Sequence, residues 1–270
     1  MSINSLPTSI VIYSTTATLA TDSGAVRARF GYVDYTSTGV MSASSSGTLP
    51  ALAGNGLTAD AWRSTAGGTQ WLACTIAEAA PASFMAIAGH SLNGGSAKPQ
   101  YFDGADWQDL ATGIIPTGDG PVVWEFGEQS AVAFRLYVTG AASAISIGTM
   151  QVGKTLKPTY GLPVGWKPPS LNPREEFTNS MTVGGQMLGR QVRRTGSAAS
   201  FTLQYETYAF SRGEWQTFVQ NTRLRPFFAW WTYPGSAYSE AIYGARGSVD
   251  GGFSTEQFVE LSFAVEGTAL

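Results

Sequence analysis

The run Ala131–Gly153, AVAFRLYVTGAASAISIGTMQVG, alternates apolar with small or polar side chains at a period of two, breaks at Thr139-Gly140, and alternates again. A helix repeats every 3.6 residues and cannot gather such a pattern onto one face, so the run predicts a pair of strands, each with one buried side. Arg135 stands inside the first strand between Phe134 and Leu136. A charge among core-forming neighbours needs a compensating partner.

The same reading extends upstream. Strands are predicted at Ser9–Tyr13, Arg27–Tyr35, Gln70–Ile76, Ser83–Gly89, Gln100–Phe102, Val122–Phe126, Ala133–Val138 and Ala144–Val152, with Gly-, Ser-, Thr- and Pro-rich turns between them. Eight short strands at such spacing predict a mainly β sandwich or jelly roll over residues 1–156. Composition agrees: charged residues are only 13% of the chain, about half the usual share, and 32 glycines stand in their place. A surface so poor in charge is weakly protected against association, so neighbouring subunits are expected to cover part of it.

Between Leu156 and Arg174 lie five prolines, at 158, 163, 168, 169 and 173. They forbid a regular ladder or helix, so 157–174 is predicted to be an extended strap that buries Tyr160 and Trp166 against a neighbouring surface. Residues 175–270 form a second predicted domain. Its strands are expected near Ser180–Leu188, Ala198–Glu206, Pro226–Thr232 and Phe258–Val265. One helix is expected at about 212–222, where Ser211-Arg212-Gly213-Glu214 has the form of a capping box and Trp215, Phe218 and Val219 share a face. The run 226–231, PFFAWW, is apolar on both sides of the pleat and is expected to be buried on both.

The net charge is −3 and neither half is basic enough for a nucleic-acid footprint; Arg190, Arg193 and Arg194 form one basic cluster, read as a subunit contact or strand edge. A single cysteine, Cys74, excludes an internal disulfide and reads as a small buried hydrophobe. A single histidine, His90, leaves one base for any triad and reads as a turn residue bonded to the backbone. One Cys and one His also cannot make a usual zinc site. Asp103, Asp106 and Asp109 share one loop and are weak candidates for a calcium site or a glycosidase acid pair, though an Asp-Gly hairpin turn explains them more simply. No catalytic residue and no cofactor is assigned, and an enzyme is not expected. No apolar run reaches 18 residues, and no basic segment precedes the short apolar run near the N-terminus, so neither a membrane span nor a signal peptide is expected. Trp62 and Trp107 fall in predicted loops and, with Arg63, are the candidate ligand-binding residues.

Two resemblances follow from particular residues. Asp60-Ala61-Trp62-Arg63-Ser64, Gln70-Trp71-Leu72, Phe84–Ala88, the loop Gly104–Leu110, Phe134–Val138 and Ile147–Gly153 resemble, in order, the discoidin-like sandwiches that include galactose-binding modules. The sequence departs from them in lacking a terminal disulfide and in placing Cys74-Thr75-Ile76 where Asp-Leu-Gly is usual. Further on, Gly185–Arg190, Trp215 with Phe218, Arg225–Trp231 and Leu261–Gly267 resemble the distal-tail or tail-tip proteins of long-tailed bacteriophages, a β-sandwich with one packed helix that builds rings. Together the resemblances imply a non-enzymatic virion component, assembled in the host cytoplasm, that joins tail tube to tip or fibre proteins. Its partners would be copies of itself and other tail proteins, and its outward sandwich could contact a host glycan. Tyr160, Trp166, Phe227, Phe228, Trp230 and Trp231 are then the expected interface residues. The alternative is a free carbohydrate-binding module or lectin, with its site at Trp62, Arg63 and Trp107.

Overall fold

The structure is a computed structural model, and it describes residues 10–13, 26–171, 174–233, 239–253 and 257–268. It is mainly β, as the alternation predicts. Before the proline-rich span come β1 (Ile10–Tyr13), β2 (Arg27–Asp34), β3 (Val40–Ala43), β4 (Trp62–Arg63), β5 (Gly68–Ser91), β6 (Ser96–Phe102), β7 (Trp107–Asp109), β8 (Val122–Ala141) and β9 (Ser146–Leu156). After it come β10 (Arg174–Met181), β11 (Met187–Thr207), β12 (Phe227–Thr232), β13 (Ser239–Phe253) and β14 (Phe258–Thr268).

Two predicted strand pairs are single long strands. Gln70–Ile76 and Ser83–Gly89 are the two halves of β5; Val122–Phe126 and Ala133–Val138 are the two halves of β8. Their mutual register shifts between Thr75 and Ala80, and there both strands pass from one layer of the sandwich to the other. In the first layer β5 lies between β3 and β8, and β8 carries β6 and β7 beyond it. In the second layer β5 lies between β9 and β8, with β1 alongside β8. Trp62, Leu72, Cys74, Met85, Ile87, Trp124, Phe134, Leu136 and Met150 fill the space between.

The two strands of Ala131–Gly153 are present but do not pair with each other, because β5 lies between β8 and β9. Alternation fixes which way side chains point; it does not choose the neighbouring strand.

β2 pairs with β9 on one side and β12 on the other, so the sheet continues through β12, β13, β14 and β11 to β10 at its edge. A second core, rich in rings, lies on one face of this extension. Phe30 meets Phe201 and Phe263 edge-on at 5.0 and 5.1 Å between centroids, and Phe218 packs against Phe227 at 5.1 Å. β12 is buried on both faces, as expected: Phe227, Ala229 and Trp231 enter this core, while Phe228 and Trp230 pack against Phe84, Ala86, Val123 and Tyr243. The four aromatic residues expected to offer an interface to other subunits are therefore enclosed within the chain. A strand in the middle of a sheet with cores on both faces has no surface to offer.

The strap also lies on its own chain. Trp166 donates from Nε1 to the Ser200 carbonyl at 2.7 Å and stacks on Phe201, with Trp231 edge-on beside it. Tyr160 is exposed. Glu206, fully buried, accepts from the backbone N–H and hydroxyl of Thr159 and so ties the strap to β11.

The helix begins earlier than expected. Tyr208–Phe210 (α1) runs through a π-turn at Ser211–Trp215 into Gln216–Asn221 (α2). Thr207 is the cap, its hydroxyl accepting from the Phe210 N–H at 3.2 Å, and Ser211 sits inside the helix, donating to the Tyr208 carbonyl. The expected strand at Ser180–Leu188 straddles a hairpin turn between β10 and β11. β13 has no counterpart in the sequence reading, since Gly244, Gly247, Gly251 and Gly252 make it read as loop.

Two ionic joints tie β2 to its surroundings. Buried Glu125 on β8 accepts from Trp230 Nε1 at 2.9 Å, with Lys157 Nζ at 3.1 Å and Arg29 Nε at 3.6 Å. Asp34 accepts from the Thr36 N–H and faces Arg225 at 3.7 Å.

Candidate functional site

The alternation that sends Leu72, Cys74, Phe134 and Leu136 into the core sends Trp71, Ala73, Ala133, Arg135 and Tyr137 to the outer face of the first layer. The β6–β7 hairpin extends this face. Register sets the side chains in rows: Trp71, Tyr137 and Lys98 in one; Ala73, Arg135, Gln100 and Asp109 in the next; Phe102 beside Trp107 beyond them. The result is a shelf with aromatic rings at both ends and small residues, Ala73 and Ala133, beneath its middle.

Arg135 lies across that middle. Its guanidinium carbon is 4.2 Å from the Trp107 ring centroid and 4.8 Å from that of Tyr137, and its Nε donates to Gln100 Oε1 at 2.7 Å. The charge inside an apolar strand is thus answered by two ring faces and an amide. Burial draws the Arg135 pKa below its usual value, with Tyr137 and Asp109 opposing. Lys98 donates to Asp109 at 2.7 Å, and Gln100 donates to the other Asp109 oxygen. Burial pushes the Asp109 carboxyl up, but those two hydrogen bonds and the charges of Lys98 and Arg135 together hold it below the ordinary range. Each polar group of the shelf is positioned by another.

The sequence-derived candidates separate. Trp107 is half-buried on the shelf, with Phe102 at 5.6 Å. Trp62 is fully buried, donates from Nε1 to the Ser45 carbonyl at 3.1 Å, and pairs through β4 with β9 in the opposite layer. Its ring fills the core and is not open to a ligand. Arg63 beside it is exposed, away from Trp107. Asp103 shapes the β6–β7 turn: one oxygen accepts from the N–H groups of Ala105 and Asp106, the other from Gln108, and these bonds lower its pKa. Asp109 is committed to Lys98 and Gln100, and Asp106 is exposed at the turn. Among the described residues no group of three His, Cys, Asp or Glu side chains could hold a metal ion. His90 is buried at the end of β5, its Nε2–H donating to the Gly120 carbonyl at 3.0 Å, and burial lowers its pKa. Arg190 lies 3.4 Å over the Phe177 ring, while the side chains of Arg193 and Arg194 lie outside the described residues. Among the described residues no helix is long and apolar enough to cross a membrane.

Sequence reasoning missed Trp71, Lys98, Gln100, Arg135 and Tyr137 as members of one surface. Their signal is parity, every second residue of three strands, and it emerges only when the strand pairing is known.

No family model matches the chain, and no curated protein matches it. Among solved structures it is similar to chitosan-binding module 1 of a chitosanase/glucanase from Paenibacillus sp. IK-5, at 18% identity over 44% of this chain and 96% of that one, with a TM-score of 0.40. It is also similar to a CBM32 module from Clostridium perfringens in complex with GalNAc-β-1,3-galactose, at 12% identity over 44% of this chain and 97% of that one, TM-score 0.40. A third is the CBM32 of AlyQ in complex with 4,5-unsaturated mannuronic acid, at 18% identity over 42% of this chain and 92% of that one, TM-score 0.36.

Proposed function

We propose that this chain is a non-enzymatic carbohydrate-binding protein and that the outer shelf of its first sandwich is the binding surface. The observation that carries this reading is the Arg135 guanidinium held over the rings of Trp107 and Tyr137, at 4.2 and 4.8 Å, beside Ala73 and Ala133. Sugars present apolar C–H faces and closely spaced hydroxyls, which call for aromatic surface beside planar, polarised donors and acceptors. Trp71, Tyr137 and Trp107 supply the rings; Arg135, Gln100, Asp109 and Lys98 supply the polar groups. Because these four already hold one another, binding orders little that is not ordered beforehand. Screening on a glycan array followed by calorimetry tests the reading. Trp107→Ala should weaken the best ligand at least tenfold while leaving the melting temperature nearly unchanged. Absence of binding to every glycan at millimolar concentration would overturn it.

A second reading is a ring-forming component of a phage tail tip, located in the virion, with 1–156 facing outward, the 157–174 strap between, and 175–270 contacting its own copies and other tail proteins. One observation favours it. The β10–β11 hairpin exposes Phe177, Met181, Val183, Met187, Leu188 and Val192, and β10 is an edge strand. Apolar side chains along an open edge invite association. Light scattering should then find a cyclic oligomer that a Val183→Asp, Leu188→Asp variant reduces to monomers; a wild-type chain that stays monomeric at high concentration counts against it.

A further inference from the structure

We infer that the shelf selects acidic sugars, with Arg135 receiving the sugar carboxylate; this rests on the carbohydrate-binding reading above. Arg135 uses only part of its hydrogen-bonding capacity within the chain. Its Nε is bonded to Gln100, but among the described residues its two terminal nitrogens have no hydrogen-bond partner, and no carboxylate pairs with it within 4 Å. The nearest acid on the shelf, Asp109, is engaged by Lys98 and Gln100.

A half-buried guanidinium normally acquires a carboxylate, since its planar fork matches one in two parallel hydrogen bonds. Here two rings hold the guanidinium, one amide takes its Nε–H, and among the described residues the two terminal nitrogens are left without a hydrogen-bond partner. An arginine serving only to cover Ala73 and Ala133 would not need both constraints. A carboxylate on a pyranose ring can meet the fork while the ring lies on an aromatic neighbour.

The other charges around the shelf set a direction. Asp103 and Asp106 stand at the hairpin turn, beyond Trp107, and disfavour an anion there. The opposite side is lined by Ser42 on β3 and by Trp71 and Tyr137, and the charge beside them is the Lys98 ammonium, 5.8 Å from the Tyr137 ring centroid and paired with Asp109. The acidic ring is therefore placed over Trp71 and Tyr137 and any neutral neighbour toward Trp107.

The test compares a uronic-acid oligosaccharide with the same oligosaccharide after reduction of its carboxyls to primary alcohols, by calorimetry on the full chain. Wild-type protein should bind the acid at least tenfold more tightly than its reduced counterpart, and more weakly as salt is raised. Arg135→Gln should bind the two equally. Arg135→Lys, which keeps the charge and loses the fork, should recover only part of the preference. Should Arg135→Gln fold poorly, as judged by circular dichroism, the lysine variant and the carboxyl-reduced ligand still decide. Equal binding of acid and alcohol by the wild type, with both lost in Trp107→Ala, would overturn the inference and leave the carbohydrate reading standing. Binding of neither would overturn the inference, and the carbohydrate reading falls with it only if the glycan array also shows no binding.

Discussion

Asp34 shows how a residue's position in the fold sets its chemistry. Burial pushes its carboxyl from an ordinary 3.8 up to about 6, although hydrogen bonds from Thr36 and the charge of Arg225 pull the other way. The folded chain therefore holds this proton more tightly than the unfolded chain does. The stability that this tighter hold contributes is complete below pH about 3.8 and is lost as pH rises through about 6. Asparagine mimics the protonated form without titrating. The stability of the wild type minus that of Asp34→Asn should fall by about 2–3 kcal/mol between pH 3.5 and 7, measured by urea unfolding across that range. A flat difference would show that Asp34 does not titrate there. Cys74 is the complementary case. Buried in the first core, its thiol is pushed up to about 12, so it should resist thiol reagents until the chain unfolds, and a thiol–disulfide dye added to native protein would reveal any faster reaction.

At the level of elements, the helix gives the sharpest contrast between expectation and structure. Thr207→Ala removes the observed cap and should cost about 1 kcal/mol, whereas Ser211→Ala, at the motif that looks like a cap, should cost less than half as much; chemical denaturation of the two variants distinguishes them. The capping-box motif misled because one extra residue in a π-turn lets the helix begin four residues earlier while Trp215 and Phe218 still face the core. Strands tell a similar story. Period-two alternation located β2, β9 and β14 closely, because their apolar faces are continuous, and the unbroken apolar run PFFAWW located β12. The alternation split β5 and β8, since the crossings between layers, 77–81 and 127–130, lack the large apolar side chains that carry the pattern. It missed β13, whose glycines remove the side chains that carry the signal. The shelf was legible only at Trp107: Arg135 was noticed as a misplaced charge, but its neighbours come from strands distant in sequence. Trp62 was misassigned because a two-residue strand looks like loop.

At the scale of the whole molecule, β2 decides the architecture. Gly153 marks its crossing with β9, where an added methyl would lie 1.8 Å from the Val33 carbonyl oxygen, a backbone atom with little room to yield. Gly153→Ala should destabilise the protein by about 2–4 kcal/mol and loosen both cores together, which hydrogen exchange on β2, β9 and β12 would register as a joint loss of protection. A loss confined to one core would contradict the joint role of β2. The same strand imposes a timetable on synthesis. Arg29 pairs with Trp230, so the seam at β2 closes only after some two hundred further residues have been made. At about 5–20 residues per second, the apolar strand Arg27–Asp34 waits roughly 10–40 seconds on the ribosome without its β12 partner, a long exposure for a sequence able to pair with other unfinished chains. Non-local pairing of this kind slows folding, and for this chain it makes the rate of translation, and any chaperone that shields the nascent N-terminal strand, part of how the native sheet is reached.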